Sequence, residues 1–275
     1  MHFPNPQSPP AQQVIAGAAD PQVMAVGTAA QQRSIAFLRR HAVPGNARPG
    51  LVWLPGFMSD MASTKASALD EWAAGQGRAL LRFDYSGHGV SGGRFEDGTI
   101  SLWLEEALAL VRAQSQGPQV LVGSSMGGWL ALLVARALAK AEEAARLHAL
   151  VLIAPAVDFT QKLIEPKLTP EIARQIETTG QWLRPSAYGS PYPITRGLLH
   201  DGRLHNLFGT VLRSHCPVHI LQGMQDLDVP WQHAMQLVEH LASDSVVISL
   251  IRDGDHRLSR PEDIAMLLQV IEGMG

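Results

Sequence analysis

The chain has 275 residues, of which 46% are hydrophobic and 17% are charged, a composition typical of a globular domain with a well-filled core. Its formal net charge of −3 excludes the basic surface that nucleic acid or an anionic membrane would require. Cys216 is the single cysteine, so no intramolecular disulfide can form. Because it precedes Pro217 at the start of an apolar strand, we interpret it as structural.

Residues 1–30 are rich in Ala, Gln and Pro and contain no Lys or Arg, which predicts a flexible N-terminal tail. This segment lacks the basic and apolar regions of a secretory signal and the Arg-rich character of a mitochondrial presequence. The chain also has no uncharged apolar run long enough to span a bilayer. We therefore predict a soluble, cytoplasmic protein with no membrane span and one domain over residues 31–275.

Apolar β-type runs alternate with helical patterns along that domain. The predicted strands are Ile35–Arg40, Leu51–Leu54, Ala79–Phe83, Val120–Val122, Leu150–Ile153, Val218–Leu221 and Val246–Ile251. The predicted helices are Lys65–Ala74, Leu102–Ala113, Trp129–Ala145, Trp231–Leu241 and Pro261–Ile271. Because such alternation with continuously apolar strands is typical of a parallel sheet covered on both faces, we predict a doubly wound α/β fold.

One segment, residues 157–213, interrupts the alternation. It has no clear strand and several prolines, a helical run over Pro170–Gly180, and then Trp182 and Tyr188. A structureless loop of this length is rare in a compact domain. We interpret the segment as a small helical lid inserted after the strand Leu150–Ile153; the alternative is peripheral packing without contact to a substrate.

The sequence Gly123-Ser124-Ser125-Met126-Gly127 joins an apolar strand directly to a helix. Gly-x-Ser-x-Gly between a strand and a helix is the nucleophile elbow, a sharp turn that exposes one serine above the sheet. Only Ser125 has glycine two residues before it and two residues after it. We therefore predict Ser125 as a nucleophile, with the positive end of the following helix near the developing oxyanion.

A nucleophilic serine needs a basic histidine and an acid that orients it. After Ser125, the best acid lies in the loop after the strand Val218–Leu221, where Asp226 and Asp228 compete. Both stay candidates on the residues alone, because either could instead cap the next helix, a role that suits Asp228 better. His256 lies in the loop after the last predicted strand and is the predicted base.

An oxyanion hole needs two main-chain N–H donors, one directly after the nucleophile and one from the loop after an earlier strand. Met126 supplies the first. Phe57 is the natural second donor, because Gly56 lets the backbone bend toward the site. We add Met58, Trp182 and Tyr188 as predicted pocket residues.

The motif Gly87-His88-Gly89-Val90-Ser91-Gly92 matches a dinucleotide-binding pattern. A helix beginning within the motif is also required, and Gly93, Arg94 and a Glu96-Asp97-Gly98 turn follow instead. We interpret Gly87–Gly92 as a structural turn and predict no NAD binding. His215 and His219 flank Pro217 and cannot share a helix face, and no other cluster suggests a metal, so we predict neither a cofactor nor a metal.

Five stretches together resemble one branch of the α/β-hydrolase superfamily, that of palmitoyl-protein thioesterases and mycophenolic acid acyl-glucuronide esterases of the α/β-hydrolase domain-containing protein 10 type. They are Leu54-Pro55-Gly56-Phe57 with Thr64-Lys65, Arg82-Phe83-Asp84-Tyr85-Ser86-Gly87, Gly117 to Trp129, Gly223-Met224 with Val229-Pro230-Trp231, and Asp255-His256-Arg257. The elbow is common to the superfamily, whereas Leu-Pro-Gly-Phe, Phe-Asp-Tyr-Ser-Gly and Val-Pro-Trp are similar to this branch. The resemblance implies an α/β-hydrolase fold and a bacterial-type member.

By position, the resemblance implies Ser125 as nucleophile, Asp226 as acid and His256 as base. One departure is Gln222-Gly223 where the family commonly has His-Gly. The implied activity is hydrolysis of carboxylic esters or thioesters, with a small molecule or an S-acylated protein as substrate. The alternatives are an esterase for acyl glucuronides or other small esters, and a non-catalytic binding protein on the same fold.

Overall fold

The computed structural model describes residues 20–185, 191–210, 212–241 and 245–275. The strands are β1 Gln22–Val26, β2 Arg33–Arg40, β3 Gly50–Leu54, β4 Leu80–Phe83, β5 Gln119–Ser124, β6 Leu147–Ile153, β7 Gln181–Arg184, β8 Tyr192–Thr195, β9 Val218–Gly223 and β10 Val246–Ile251. The helices are α1 Thr64–Gly75, α2 Ile100–Gln114, α3 Met126–Lys140, α4 Pro170–Thr179, α5 Arg196–Gly202, α6 Trp231–His240 and α7 Pro261–Gly273.

Eight strands form one sheet in the order β1-β2-β4-β3-β5-β6-β9-β10. From β4 to β10 each strand pairs parallel with its neighbour, whereas β1 and β2 are added antiparallel at one edge. The parallel strands all end at the same edge of the sheet, which is where ligands bind in open α/β sheets. The α/β fold predicted from the sequence is confirmed.

Alternate residues of the central strands pack on opposite faces of the sheet. In β3, Val52 and Leu54 belong to a core shared with α2, α3 and α6. Leu51 and Trp53 belong to a second core shared with α1 and α7. Because both faces are covered, the central strands are apolar throughout, and the pattern of the sequence follows directly from this layering.

Residues 22–26 differ from the prediction, which placed them in a flexible tail. They form the edge strand β1 and pair with β2 from Gln22 opposite Phe37 to Val26 opposite Arg33. Met24 and Val26, two residues apart, pack against the core while Val23 is exposed. This alternation over only five residues gave too short a pattern to separate from the Ala-rich surroundings.

The segment between β6 and β9 contains more than the predicted helix Pro170–Gly180. It holds a π-helical turn at Thr160–Ile164, α4, the antiparallel hairpin of β7 and β8, and α5. The prediction that residues 157–213 contain no strand was therefore wrong. Within the described ranges, no helix is both long enough and apolar enough to cross a bilayer.

Candidate active site

Four loops at the carboxyl edge of the sheet supply the predicted site residues. Phe57 and Met58 follow β3, Ser125 follows β5, Asp226 follows β9 and His256 follows β10. The strands fix where each loop begins, so residues far apart in sequence lie together at this edge.

Ser125 lies in the turn between β5 and α3 with φ 54° and ψ −118°, a backbone conformation that costs energy for any residue but glycine. Its N–H donates to the carbonyl oxygen of Ile153 at 2.8 Å. A side chain at Gly123 would overlap the carbonyl oxygen of Gly127, and one at Gly127 would overlap that of Leu54. The two glycines are therefore required by backbone packing, and this packing imposes the strained conformation on the serine.

His256 lies between Ser125 and Asp226. Its Nε2 atom is 3.1 Å from Ser125 Oγ, and its Nδ1 atom is 2.7 Å from Asp226 Oδ2. The carboxylate can only accept from Nδ1–H, so Nε2 is left to accept from the serine hydroxyl. The carboxylate is fully buried and the imidazole is 18% exposed, an arrangement in which the histidine can take a proton from the serine and return it to a leaving group.

The Asp226 carboxylate is held by its own loop. Its Oδ1 atom accepts from the N–H groups of Asp228 and Val229 at 2.9 and 2.8 Å. The Gln222 side-chain amide donates to Oδ2 at 3.3 Å and to the carbonyl oxygen of Val229 at 3.0 Å. The Gln222 side chain thus braces the loop that carries Asp226.

Asp228, the competing acid, has a different partner. Its carboxylate is 39% exposed and forms an ion pair with Arg184 of β7 at 3.6 Å. Asp226, and not Asp228, makes the hydrogen bond to His256 in this structure.

The loops that carry Asp226 and His256 pack against each other through their backbones. The N–H of Met224 donates to the carbonyl oxygen of Ile251, and that of Gln225 to the carbonyl oxygen of Gly254, at 2.8 and 2.9 Å. A side chain at Gly223 would overlap the carbonyl oxygen of Gly254. This close approach explains the glycine and fixes the loop of Asp226 next to the loop of His256.

The two predicted oxyanion donors flank the serine. Met126 begins α3, where the first N–H groups of a helix have no partner within it. Phe57 follows Gly56, whose Cα lies so close to the elbow that a Cβ there would be 3.1 Å from Ser124 O and 3.3 Å from Ser125 Cβ. The loop after β3 therefore runs directly beside the nucleophile.

A cavity of about 630 Å³ opens over Ser125, within the range of about 300–1,000 Å³ typical of ligand sites. Its apolar wall comes from the loop after β3, the π-helical turn, the hairpin and the acid loop. These residues are Phe57, Met58, Phe159, Leu163, Ile164, Tyr192, Ile194 and Val229.

The three predicted pocket residues differ in outcome. Met58 lines the cavity. Trp182 does not line it and packs against the core instead, whereas Arg184, two residues further along β7, lines the cavity. Tyr188 lies outside the described residues.

Basic side chains also line this cavity, and the sequence analysis had given them no role. They are Lys65, Arg184 and Arg257. The Lys65 ammonium donates to the carbonyl oxygen of Arg257 and to Ser259 Oγ, and burial lowers the pKa of Lys65 to about 8. The sequence did offer one indication that Lys65 belongs to the site, because Thr64-Lys65 is one of the stretches that carry the family resemblance.

Among the described residues, Asp226, Asp228 and His256 form a group whose potential ligand atoms lie within 4.8 Å of one another. Asp226 and His256 use these atoms on each other and Asp228 pairs with Arg184. The donor set therefore fits the hydrogen-bonded arrangement better than a metal site.

Comparison with known proteins finds relatives that are all hydrolases. Residues 45–206 match the family model described as serine aminopeptidase, S33. The mouse (Mus musculus) palmitoyl-protein thioesterase ABHD10, mitochondrial, is 35% identical over 255 residues, covering 89% of this chain and 83% of the relative.

Two solved structures are similar over most of their length. A protein from Agrobacterium vitis S4, described only as a hydrolase, is 48% identical with a TM-score of 0.89 and covers 93% of this chain and 98% of its own. Mouse α/β-hydrolase domain-containing protein 10 is 32% identical with a TM-score of 0.79 and covers 92% of this chain and 97% of its own.

These relatives correct one prediction. The expected cytoplasmic location is contradicted, because the curated relatives are mitochondrial. The prediction rested on the composition of residues 1–30, which lack the Arg-rich character of a mitochondrial presequence.

Proposed function

The chain belongs to the serine aminopeptidase S33 family of α/β hydrolases and is an esterase or thioesterase, and we propose that it releases long acyl chains from thioesters through an acyl-enzyme on Ser125. The observation that carries the proposal is the contact of His256 with both Ser125 and the buried Asp226, at 3.1 and 2.7 Å, next to a cavity with an apolar wall.

In the acylation step, His256 Nε2 takes the proton of Ser125 Oγ as the oxygen attacks the acyl carbonyl carbon. The N–H groups of Met126 and Phe57 donate to the resulting oxyanion. When the tetrahedral intermediate collapses, the bond from carbon to sulfur or oxygen breaks, and the leaving thiol or alcohol receives the proton from His256.

Deacylation repeats the sequence with water in place of the serine. His256 removes a proton from water, the hydroxide adds to the acyl carbon, and Ser125 leaves with the proton that His256 returns. Asp226 accepts the Nδ1–H of His256, which orients Nε2 toward the reaction.

The choice of a long acyl group rests on the lining of the cavity. Aliphatic and aromatic side chains form one part of the lining, together with Ser125, and each buried methylene of an acyl chain contributes about 0.8 kcal/mol of transfer free energy. The hairpin of β7 and β8 contributes Tyr192 and Ile194 to this lining, so we assign the segment 157–213 the role of a lid. The name of the mouse relative, a palmitoyl-protein thioesterase, agrees with a long acyl chain.

The basic residues of the cavity favour a second candidate substrate. Lys65, Arg184 and Arg257 offer a positive environment that suits a leaving group with a carboxylate, such as the glucuronic acid of an acyl glucuronide. Comparing an acyl glucuronide with its methyl ester, which lacks that charge, tests this candidate. A higher kcat/KM for the charged substrate, lost in Arg184→Gln, supports it.

The main test is a chain-length series of p-nitrophenyl esters and matched thioesters, with Ser125→Ala as the inactive control. We expect kcat/KM to rise with chain length and to be higher for thioesters. A maximum at short chains, together with Ser125-dependent turnover, would contradict the acyl-chain assignment. Activity that survives Ser125→Ala would overturn the nucleophile, and a folded wild type with no turnover would favour a binding role.

A further inference from the structure

His88 lies in the turn after β4 and is only 5% exposed. Its Nδ1 atom is 3.2 Å from the carbonyl oxygen of Ser86, and its Nε2 atom is 3.3 Å from the N atom of Met58. A main-chain N–H can only donate, so Nε2 accepts from Met58 and the ring proton resides on Nδ1, where it is donated to Ser86. Two main-chain groups thus select one tautomer of a neutral imidazole.

Burial also keeps this imidazole neutral. It lowers the pKa of His88 to about 4, so the lone pair on Nε2 remains available at neutral pH. His88 is therefore unlike His256: it has no free ring nitrogen for proton transfer, and both of its nitrogens serve the backbone.

The segment that His88 holds is the loop after β3. Met58 has φ 58°, a left-handed conformation that a methionine rarely adopts and that surrounding contacts must maintain. The preceding residue is Phe57, the second oxyanion donor. Its ring packs edge-on against Phe95 and Trp103 with centroids 4.9 and 6.0 Å away, which anchors the side chain while His88 anchors the backbone.

The turn that carries His88 is itself held in place by hydrogen bonds. The N–H of Ser86 donates to Glu106 at 2.9 Å, and the Trp103 indole donates to the carbonyl oxygen of Ser86 at 3.2 Å. At the far end of the loop, the N–H of Met61 donates to Asp84 at 2.6 Å. The turn after β4, itself held by buried hydrogen bonds, therefore contacts the loop after β3 at two positions, Met58 and Met61.

We propose that His88 is a positioning residue for the oxyanion hole, which by accepting the Met58 N–H holds the loop so that the neighbouring Phe57 N–H points to the oxyanion. This rests on the proposed function, in which Ser125 is the nucleophile and Phe57 N–H a donor. The contribution is specific to the transition state, because the ground-state carbonyl gains less from the donor than the oxyanion does.

The test compares His88→Phe, which keeps a flat ring but no acceptor, with His88→Gln, whose side-chain oxygen can reach the position of Nε2. The matched control is Ser91→Ala, since the Ser91 hydroxyl donates to the carbonyl oxygen of Asp84 in the same turn and accepts the Ala36 N–H of β2, not a group of residues 56–58. For each variant we would measure kcat, KM, the Tm, and the Ki of a trifluoromethyl ketone with the acyl chain of the substrate.

We expect His88→Phe to lower kcat by about tenfold to a hundredfold with KM little changed, and to weaken ketone binding by a similar factor. His88→Gln should recover most of both. Ser91→Ala should lower the Tm and leave kcat and Ki within about twofold. A merely structural histidine would give a loss of Tm without the matched losses in kcat and Ki.

Three outcomes overturn the proposal: an unchanged kcat in folded His88→Phe, no difference between His88→Phe and His88→Gln, or equal losses in Ser91→Ala. If His88→Phe does not fold, His88→Asn replaces it, since asparagine can donate to Ser86 but cannot reach Met58, and it must then turn over more slowly than His88→Gln. Wild type without Ser125-dependent turnover overturns the proposed function as well, whereas Ser125-dependent turnover with an unaffected His88→Phe overturns only the role of His88.

Discussion

The floor and the cover of the cavity are built in opposite ways. The floor, formed by the elbow around Ser125 and the loop Gly56–Met61, is fixed by close backbone packing and by buried hydrogen bonds. The cover, formed by the hairpin of β7 and β8, consists of two four-residue strands and leaves Leu183 55% exposed, although Ile194, which lines the cavity, is buried. The contrast teaches that changes in the floor should alter rate, whereas changes in the cover should alter substrate choice.

The sharpest test within the floor distinguishes the two acids. Asp226→Asn should lower kcat about 10⁴-fold, because an amide that donates to Nδ1 would favour the wrong histidine tautomer. Asp228→Asn, the matched variant two residues away, should cost less than about tenfold, since Asp228 pairs with Arg184. Steady-state kinetics with a long-chain thioester measures both, and a larger loss in Asp228→Asn would reassign the acid.

Alanine substitutions at two glycines, one in the floor and one outside it, test how tightly the floor is packed. Gly127→Ala should destabilise the protein by about 1–3 kcal/mol and reduce activity, because the added methyl meets the backbone of Leu54 and Pro55. Gly75→Ala meets no atom within 4 Å at the end of α1 and should be neutral or stabilising by up to about 1 kcal/mol. Urea unfolding gives both values, and similar effects at the two sites would mean that the elbow tolerates expansion.

Lys65 of α1 donates hydrogen bonds to the segment that follows His256, and its lowered pKa predicts a pH dependence of the stability of the protein. With a pKa of about 8 in the folded protein against 10.5 ordinarily, Lys65 loses its proton on folding between these values. The unfolded chain then binds more protons, so stability from this group rises with pH across that window.

Lys65→Met removes this contribution. Urea unfolding at about pH 7.5 and pH 9.5 should show that the wild type gains stability relative to Lys65→Met as the pH rises. The exposed Lys140 provides the control, because Lys140→Met should follow the wild type at both pH values. A parallel pH dependence of wild type and Lys65→Met would show that the buried ammonium titrates normally.

The smallest effect is expected in the cover. Arg184→Gln removes the ion pair with Asp228, which lies 3.6 Å away with both groups partly exposed, and such pairs contribute about 0–1 kcal/mol. We expect the Tm and kcat to change little, while KM for long-chain substrates shifts a few-fold. A loss of kcat as large as that in Asp226→Asn would show that changes in the cover alter the rate as much as changes in the floor do.

The elements that the sequence predicted well are those with strong local constraints. Gly123 and Gly127 mark the elbow because the backbone requires them, and the apolar strands follow from a sheet covered on both faces. Asp226 and His256, the predicted acid and base, follow β9 and β10, as the chain order of an α/β hydrolase leads one to expect.

The elements that were missed depend on contacts between distant residues. Glu106 looks like a polar face of α2, yet it is fully buried against Arg33 at 2.6 Å and the N–H of Ser86. The β7–β8 hairpin was hidden by its prolines, one of which, Pro193, lies within β8. His88 appeared to belong to a simple turn, and only the proximity of Met58 gives it a role.

The backbone of Met58 is fixed by the imidazole of His88, while its side chain is 53% exposed and lines the cavity. A main-chain N–H is the same for every residue but proline, so the catalytic geometry is insulated from the identity of this side chain. Position 58 is accordingly a natural starting point for directed evolution of acyl preference. Asparagine, aspartate and glycine would suit its left-handed backbone, whereas β-branched replacements would not.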